Sequence, residues 1–163
     1  MSGYALYDDS VSASQMFIRT SANSGVACDV SGTLIDSVCV ATGTNSAAFS
    51  GAYTCSGETR LAINNADLYA TATGSEGLSV GAGTGCAVTL DLANSILRGG
   101  ESGFDIQAFS SGFGGTAVTV SASKCDYVTM SRLGAASSPI PLARRSGRVG
   151  PGASDSLTPQ RPH

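Results

Sequence analysis

The feature that most constrains this chain is a repeat of nearly constant length. Four blocks align: GTLIDSVC at Gly32–Cys39, LAINNADL at Leu61–Leu68, LDLANSIL at Leu90–Leu97 and VTVSASKC at Val118–Cys125. Their starts lie 29, 29 and 28 residues apart. A period in this range belongs to architectures whose units bury their apolar faces only by stacking on neighbours. One column of the alignment is Gly32, Leu61, Leu90, Val118, and the column two residues on is Leu34, Ile63, Leu92, Val120. Between them stand the small or polar Thr33, Ala62, Asp91 and Thr119, so the pattern is that of a strand with one buried face. A third column, Ser37, Ala66, Ser95, Ser123, is small throughout, and a fourth is Cys39, Leu68, Leu97, Cys125. The change of phase between strands needs a bend. Asp36, Asn65 and Asn94 stand there, residues that tolerate left-handed backbone, whereas Ala122 breaks the pattern in the last block.

A second strand recurs as Ala48–Gly51, Gly77–Val80 and Gly103–Ile106, placing Phe49, Leu78 and Phe104 in one core column. Gly25–Cys28 fits the same strand one unit earlier, and Met16–Ile18 fits a further unit or a cap. Glycine-rich joints at 74–77, 81–85, 99–103 and 112–115 separate the strands and permit sharp corners. Two or three short strands per unit of roughly 28 residues is the arithmetic of a parallel β-helix. A helical solenoid would show a 3.6-residue period, and a leucine-rich repeat its own Leu/Asn pattern. A β-sandwich shares the many short strands but gives no reason for a small-residue column at fixed spacing.

The phrases Leu92–Gly99 and Val120–Tyr127 resemble coils of bacterial right-handed parallel β-helix repeat proteins of the pectate-lyase-like superfamily. The resemblance spans about Val26 to Leu133. It implies an all-β, right-handed parallel β-helix of about four coils and an exported, extracellular or cell-surface protein. At ~4.8 Å per coil the stack is only about 20–25 Å long, which implies a fragment. Met1–Ser10 carries Asp8 and Asp9 rather than a basic segment and apolar core, so no signal peptide is read there, and no run is long and apolar enough to span a membrane.

The expected domain is 1–133, with coils clearest over 26–133. All five prolines and four of the nine basic residues fall after Gly134, so 134–163 reads as a disordered Pro/Ser/Arg-rich tail. Residues 1–133 hold eleven acids against five bases, which argues against a nucleic-acid partner. The cysteines are Cys28, Cys39, Cys55, Cys86 and Cys125, with no Cys-x-x-Cys pair and a single histidine at His163, which disfavours zinc. Cys39 and Cys125 share a leucine column and read as buried thiols; Cys28–Cys55 or Cys55–Cys86 are the candidate bridges between neighbouring coils.

The superfamily's lyases use calcium-binding carboxylates with an Arg or Lys base, and its hydrolases use paired carboxylates. The candidate carboxylates for such chemistry are Asp91, Glu101, Asp105 and Asp126, with Arg60, Arg98 and Lys124 as candidate bases, and of these Asp91, Arg98, Glu101 and Asp105 are the leading set. Asp91 should point outward, and Arg98, Glu101 and Asp105 fall near one joint. No adjacent pair of acids occurs outside Asp8–Asp9, and the solvated-surface reading is the stronger for each. Candidate ligand-binding residues are Tyr53, Tyr69 and Tyr127 with Asp126, because an exposed tyrosine offers an apolar face and a polar edge to a sugar. The expected role is therefore a non-catalytic, surface- or carbohydrate-associated module without a cofactor. The alternatives are a polysaccharide lyase or glycoside hydrolase, with calcium in the lyase case, and an adhesin or stalk segment. Expected partners are polysaccharide or cell-surface components. End-to-end self-association through open strand edges is also expected.

Overall fold

The computed structural model describes residues 4–8, 12–51, 57–110 and 117–133. The expected tail at 134–163, Tyr53 and Cys55 lie outside the described residues. Among the described residues every regular element is a strand, numbered here along the chain. One six-stranded sheet runs β1 (Tyr4–Asp8), β4 (Val26–Val30), β7 (Ala47–Gly51), β10 (Glu76–Ala82), β13 (Ile106–Ser110) and β15 (Met130–Leu133). A five-stranded sheet runs β2 (Ser12–Ser14), β5 (Thr33–Ile35), β8 (Gly57–Asn64), β11 (Cys86–Ala93) and β14 (Ala117–Ser123). A four-stranded sheet runs β3 (Phe17–Thr20), β6 (Val38–Ala41), β9 (Asp67–Ala70) and β12 (Ile96–Arg98). Every pairing is parallel, and from β1 to β14 the chain visits the first, second and third sheets in fixed rotation, passing from β14 to β15 without a third-sheet strand. Met16–Ile18 joins this rotation, since Phe17 pairs with Val38 and Ile18 with Cys39.

Alternation decides which side chains enter the core. Leu61, Ile63, Leu90, Leu92 and Val120 point inward from the second sheet and are buried. Cys39, Leu68 and Leu97 do so from the third, and Cys28, Phe49, Leu78, Val80 and Ile106 from the first. Each large aliphatic group so buried contributes roughly 1.5–3 kcal/mol relative to exposure.

The corners repeat as faithfully as the strands. Gln15, Asp36, Asn65, Asn94 and Lys124 occupy one corner column, all left-handed, at φ 57°, 48°, 52°, 49° and 53°. Asn65 Nδ2 donates to Asp36 Oδ1 at 2.6 Å, and Asn94 Nδ2 to Asn64 Oδ1 at 3.0 Å, tying successive corners together. The residue after this corner is small because its hydroxyl works on backbone. Ser37 Oγ donates to Ile35 O and accepts from Met16 N; Ser95 Oγ donates to Ala93 O and accepts from Ala66 N. A second corner holds Ser24, Asn45, Gly74 and Ser102, again all at positive φ. Close backbone approach also demands glycine at Gly103, where a Cβ would stand 2.0 Å from Ser75 O.

Three expectations need correction. The last block is displaced by two residues: Leu90 pairs with Val120 and Val88 with Val118, so the step there is 30 residues rather than 28. Lys124, not Ala122, therefore takes the left-handed corner. Cys125 then falls in the small-residue column, where its Sγ donates to Ser123 O at 3.3 Å just as Ser95 Oγ bonds to Ala93 O. Second, Phe104 is not the core partner of Leu78. Ile106 pairs with Leu78 and is fully buried, while Phe104 is half-buried in the preceding turn. Third, Cys39 is no free thiol. It forms a disulfide with Cys28, with Cα atoms 6.1 Å apart, joining β6 of the third sheet to β4 of the first within one round of the chain. Cys86 is also disulfide-bonded. Cys125 is a free thiol.

Candidate functional site

The charged candidates sit where neighbouring strands carry them. Arg60 on β8 and Asp91 on β11 are outward, in diagonal register, and form an ion pair at 2.7 Å, with Arg60 Nε also donating to the same carboxylate oxygen. Both side chains are well exposed, so the pair adds at most about 1 kcal/mol. Beside it lies a shallow depression of about 190 Å³ lined by Asp91, Leu92, Ala93, Ser121, Ala122 and Ser123.

Arg98 at the end of β12 reaches Asp126, whose backbone bridges Ile96 in parallel register. Its Nη2 lies 2.6 Å from Asp126 Oδ2, and its Nη1 donates to Leu97 O and Asp126 O. Asp126 is thus held across the gap where a further third-sheet strand would stand. Tyr127 beside it is half-buried and packs against the core.

Asp105 has a different setting. By register it stands level with Ala27, Ala48 and Gly77, the second residues of β4, β7 and β10, and it is 5% exposed. Oδ1 accepts from Gly99 N at 2.7 Å, while Oδ2 accepts from Val128 N at 2.5 Å and Thr129 N at 3.0 Å. Its own amide donates to Thr129 Oγ1. The carboxylate replaces the missing loop of the final round, where only Val128 and Thr129 join Tyr127 to β15, and fixes both chain segments to the joint at Gly99.

Glu101 is exposed in the turn after β12, and its carbonyl accepts from Gly74 N. The structure therefore brings Asp91 to Arg60 and Arg98 to Asp126, and engages Asp105 with backbone. Asp91 lies on β11 of the second sheet, whereas Asp105 lies in the bend that precedes β13 of the first. Among the described residues no group of three or more His, Cys, Asp or Glu side chains comes together as metal ligands do. Among the described residues no helix is long and apolar enough to cross a membrane.

The remaining tyrosine candidate lies on the outer face of the third sheet. Arg19, Val40, Tyr69 and Arg98 form one outward column and Phe17, Val38, Asp67 and Ile96 the other, by direct register. Reading the strands singly conceals this face, because its apolar members come from four rounds of the chain. Two acidic or sulfur groups elsewhere are shifted by burial: desolvation raises the pKa of Glu76 above the ordinary carboxylate value, and that of the Cys125 thiol above the ordinary thiol value, partly offset by backbone hydrogen bonds.

Comparison with known proteins returned no matching family model, no matching curated protein and no matching solved structure.

Proposed function

We propose that this chain is a right-handed parallel β-helix module of an exported protein, with a non-catalytic role at a cell surface or on carbohydrate. The observation that carries this reading is the Cys28–Cys39 disulfide inside a round of stacked parallel strands. Disulfides persist in oxidising, extracytoplasmic surroundings, so the bond supports export. The rotation through three parallel sheets supports the coil reading, with each of the first four rounds adding one strand to each face. The charged candidates support a non-catalytic role, because their contacts are lateral ion pairs between strands or hydrogen bonds to backbone amides.

A polysaccharide panel tests the role. Binding and new reducing or unsaturated ends are scored together, with calcium and with chelator. Binding without product is the expected result. Calcium-dependent unsaturated product would replace this reading with a lyase, and substitution of Asp91, Arg98 and Asp105 would then locate its chemistry. Neither binding nor product, from folded protein, would favour an adhesin or stalk segment.

A further inference from the structure

The outer face of the third sheet differs from the other two. The second sheet presents mainly Ser, Thr, Ala and the Arg60–Asp91 pair, and the first presents mainly small residues with Gln107 and Phe109, its exposed Tyr4 and Leu133 standing apart on the two end strands. The third presents Phe17, Val38, Val40, Tyr69 and Ile96, framed by Arg19, Asp67 and Arg98. Phe17 is 72% exposed, among the most exposed large apolar side chains described. An apolar stripe framed by charges marks an interaction surface. Its two columns are not alike. Among the described residues, both acids of the face, Asp67 and the bridging Asp126, stand in the column of Phe17, and both arginines, Arg19 and Arg98, stand in the column of Tyr69.

We propose that this face associates with the same face of a second copy of the chain, about a two-fold axis parallel to the direction in which the strands stack. That operation lays each column over the other column of the partner copy and keeps the rounds level. Phe17 then meets the guanidinium of Arg19 in a cation–π contact, twice by symmetry. Val38 meets Val40. The Asp67 carboxylate accepts from the Tyr69 hydroxyl, again twice. Ile96 covers the aliphatic stem of Arg98, whose guanidinium stays with its own Asp126. A two-fold axis perpendicular to the stack and along the strands would instead set Arg19 against Arg98 and the Asp67 carboxylate against Val38, so the charges select the parallel arrangement. Four strands of three or four residues make a face well below the ~800 Å² per partner of a durable dimer, so the association is weak and reversible. The inference stands on the register of the third sheet, independently of any carbohydrate role.

Sedimentation velocity over a wide concentration range tests it on the whole chain. The weight-average mass of the native protein rises from that of the 16.2 kDa monomer towards twice that value. Asp67→Lys weakens association by at least about tenfold, the effect of losing ~1.4 kcal/mol at the contact. The double variant D67K/Y69E restores it by reversing the pair, and circular dichroism checks that each variant retains its β structure. A native protein that stays monomeric at every concentration overturns the proposal, as does undiminished association of D67K. Polysaccharide binding abolished by Tyr69→Ala in a chain that never associates would assign the face to glycan instead.

Discussion

Lys124 sits at φ 53°, where an ordinary side chain crowds the following carbonyl at a cost of about 1–2 kcal/mol. The same corner column holds Asp36, Asn65 and Asn94, whose short polar side chains relieve that cost and bond to the neighbouring round. Position thus overrides residue type: Gln15 and Lys124 adopt the corner because the rounds beside them impose it. Glu76 has a comparable conflict in charge. It opens β10 half-buried, and desolvation raises its pKa above the ordinary 4.5, with a backbone hydrogen bond opposing. A carboxyl whose folded pKa is raised contributes its stability fully below 4.5 and loses it as pH climbs through the folded value. Glu76→Gln keeps the shape without the charge. Its stability, measured by denaturant titration at a series of pH values, should decline less than the native protein's between pH 4.5 and neutrality and equal or exceed it at pH 7.

At the scale of the strand, the apolar alternation made β5, β8 and β11 legible, because one buried face fixes which residues stack. It could not fix β14. A slip of one residue exposes the core set, but a slip of two leaves inward residues inward, and Val118 and Val120 satisfy either register. The corner that would have settled it carries Lys124 where asparagine was the signal. The bridge between Cys28 and Cys39 was hidden for another reason: aligned columns reveal neighbours along the stack, whereas this bond crosses the interior between two sheets of one round. The candidate site was legible only as residue types. Asp91 pointed outward as alternation required, but nothing in the sequence announced that Asp105 would be buried on backbone amides. That setting gives Asp105 a role in strand entry, since it joins the turn before β13 to the chain entering β15. Asp105→Asn leaves one oxygen and places an amide group among N–H donors. The loss should be roughly 2–3 kcal/mol in denaturant unfolding, with hydrogen-exchange protection falling first at Val128 and Thr129.

For the whole molecule, the sheet order makes stability a sum over neighbouring rounds. Each interior strand pairs only with the strand one round before and one round after, so no described strand reaches across the stack. Leu61 on β8 lies in the middle of the second sheet and Val120 on β14 at its end, and both are buried to within 1%. Truncating either removes buried apolar contacts, and the consequences should differ with position. Leu61→Ala opens a cavity between β5 and β11 and should cost about 2–5 kcal/mol. Because rounds on both sides lean on β8, amide protection should fall along the whole stack. Val120→Ala weakens only the last pairing, with β11. Protection should fall in β14 and β15 while β5 and β8 keep native exchange rates. Amide hydrogen exchange on the two variants separates the cases. Equal loss of protection in β5 and β8 from both substitutions would mean that the stack unfolds as a single cooperative unit, with coupling that extends beyond adjacent rounds.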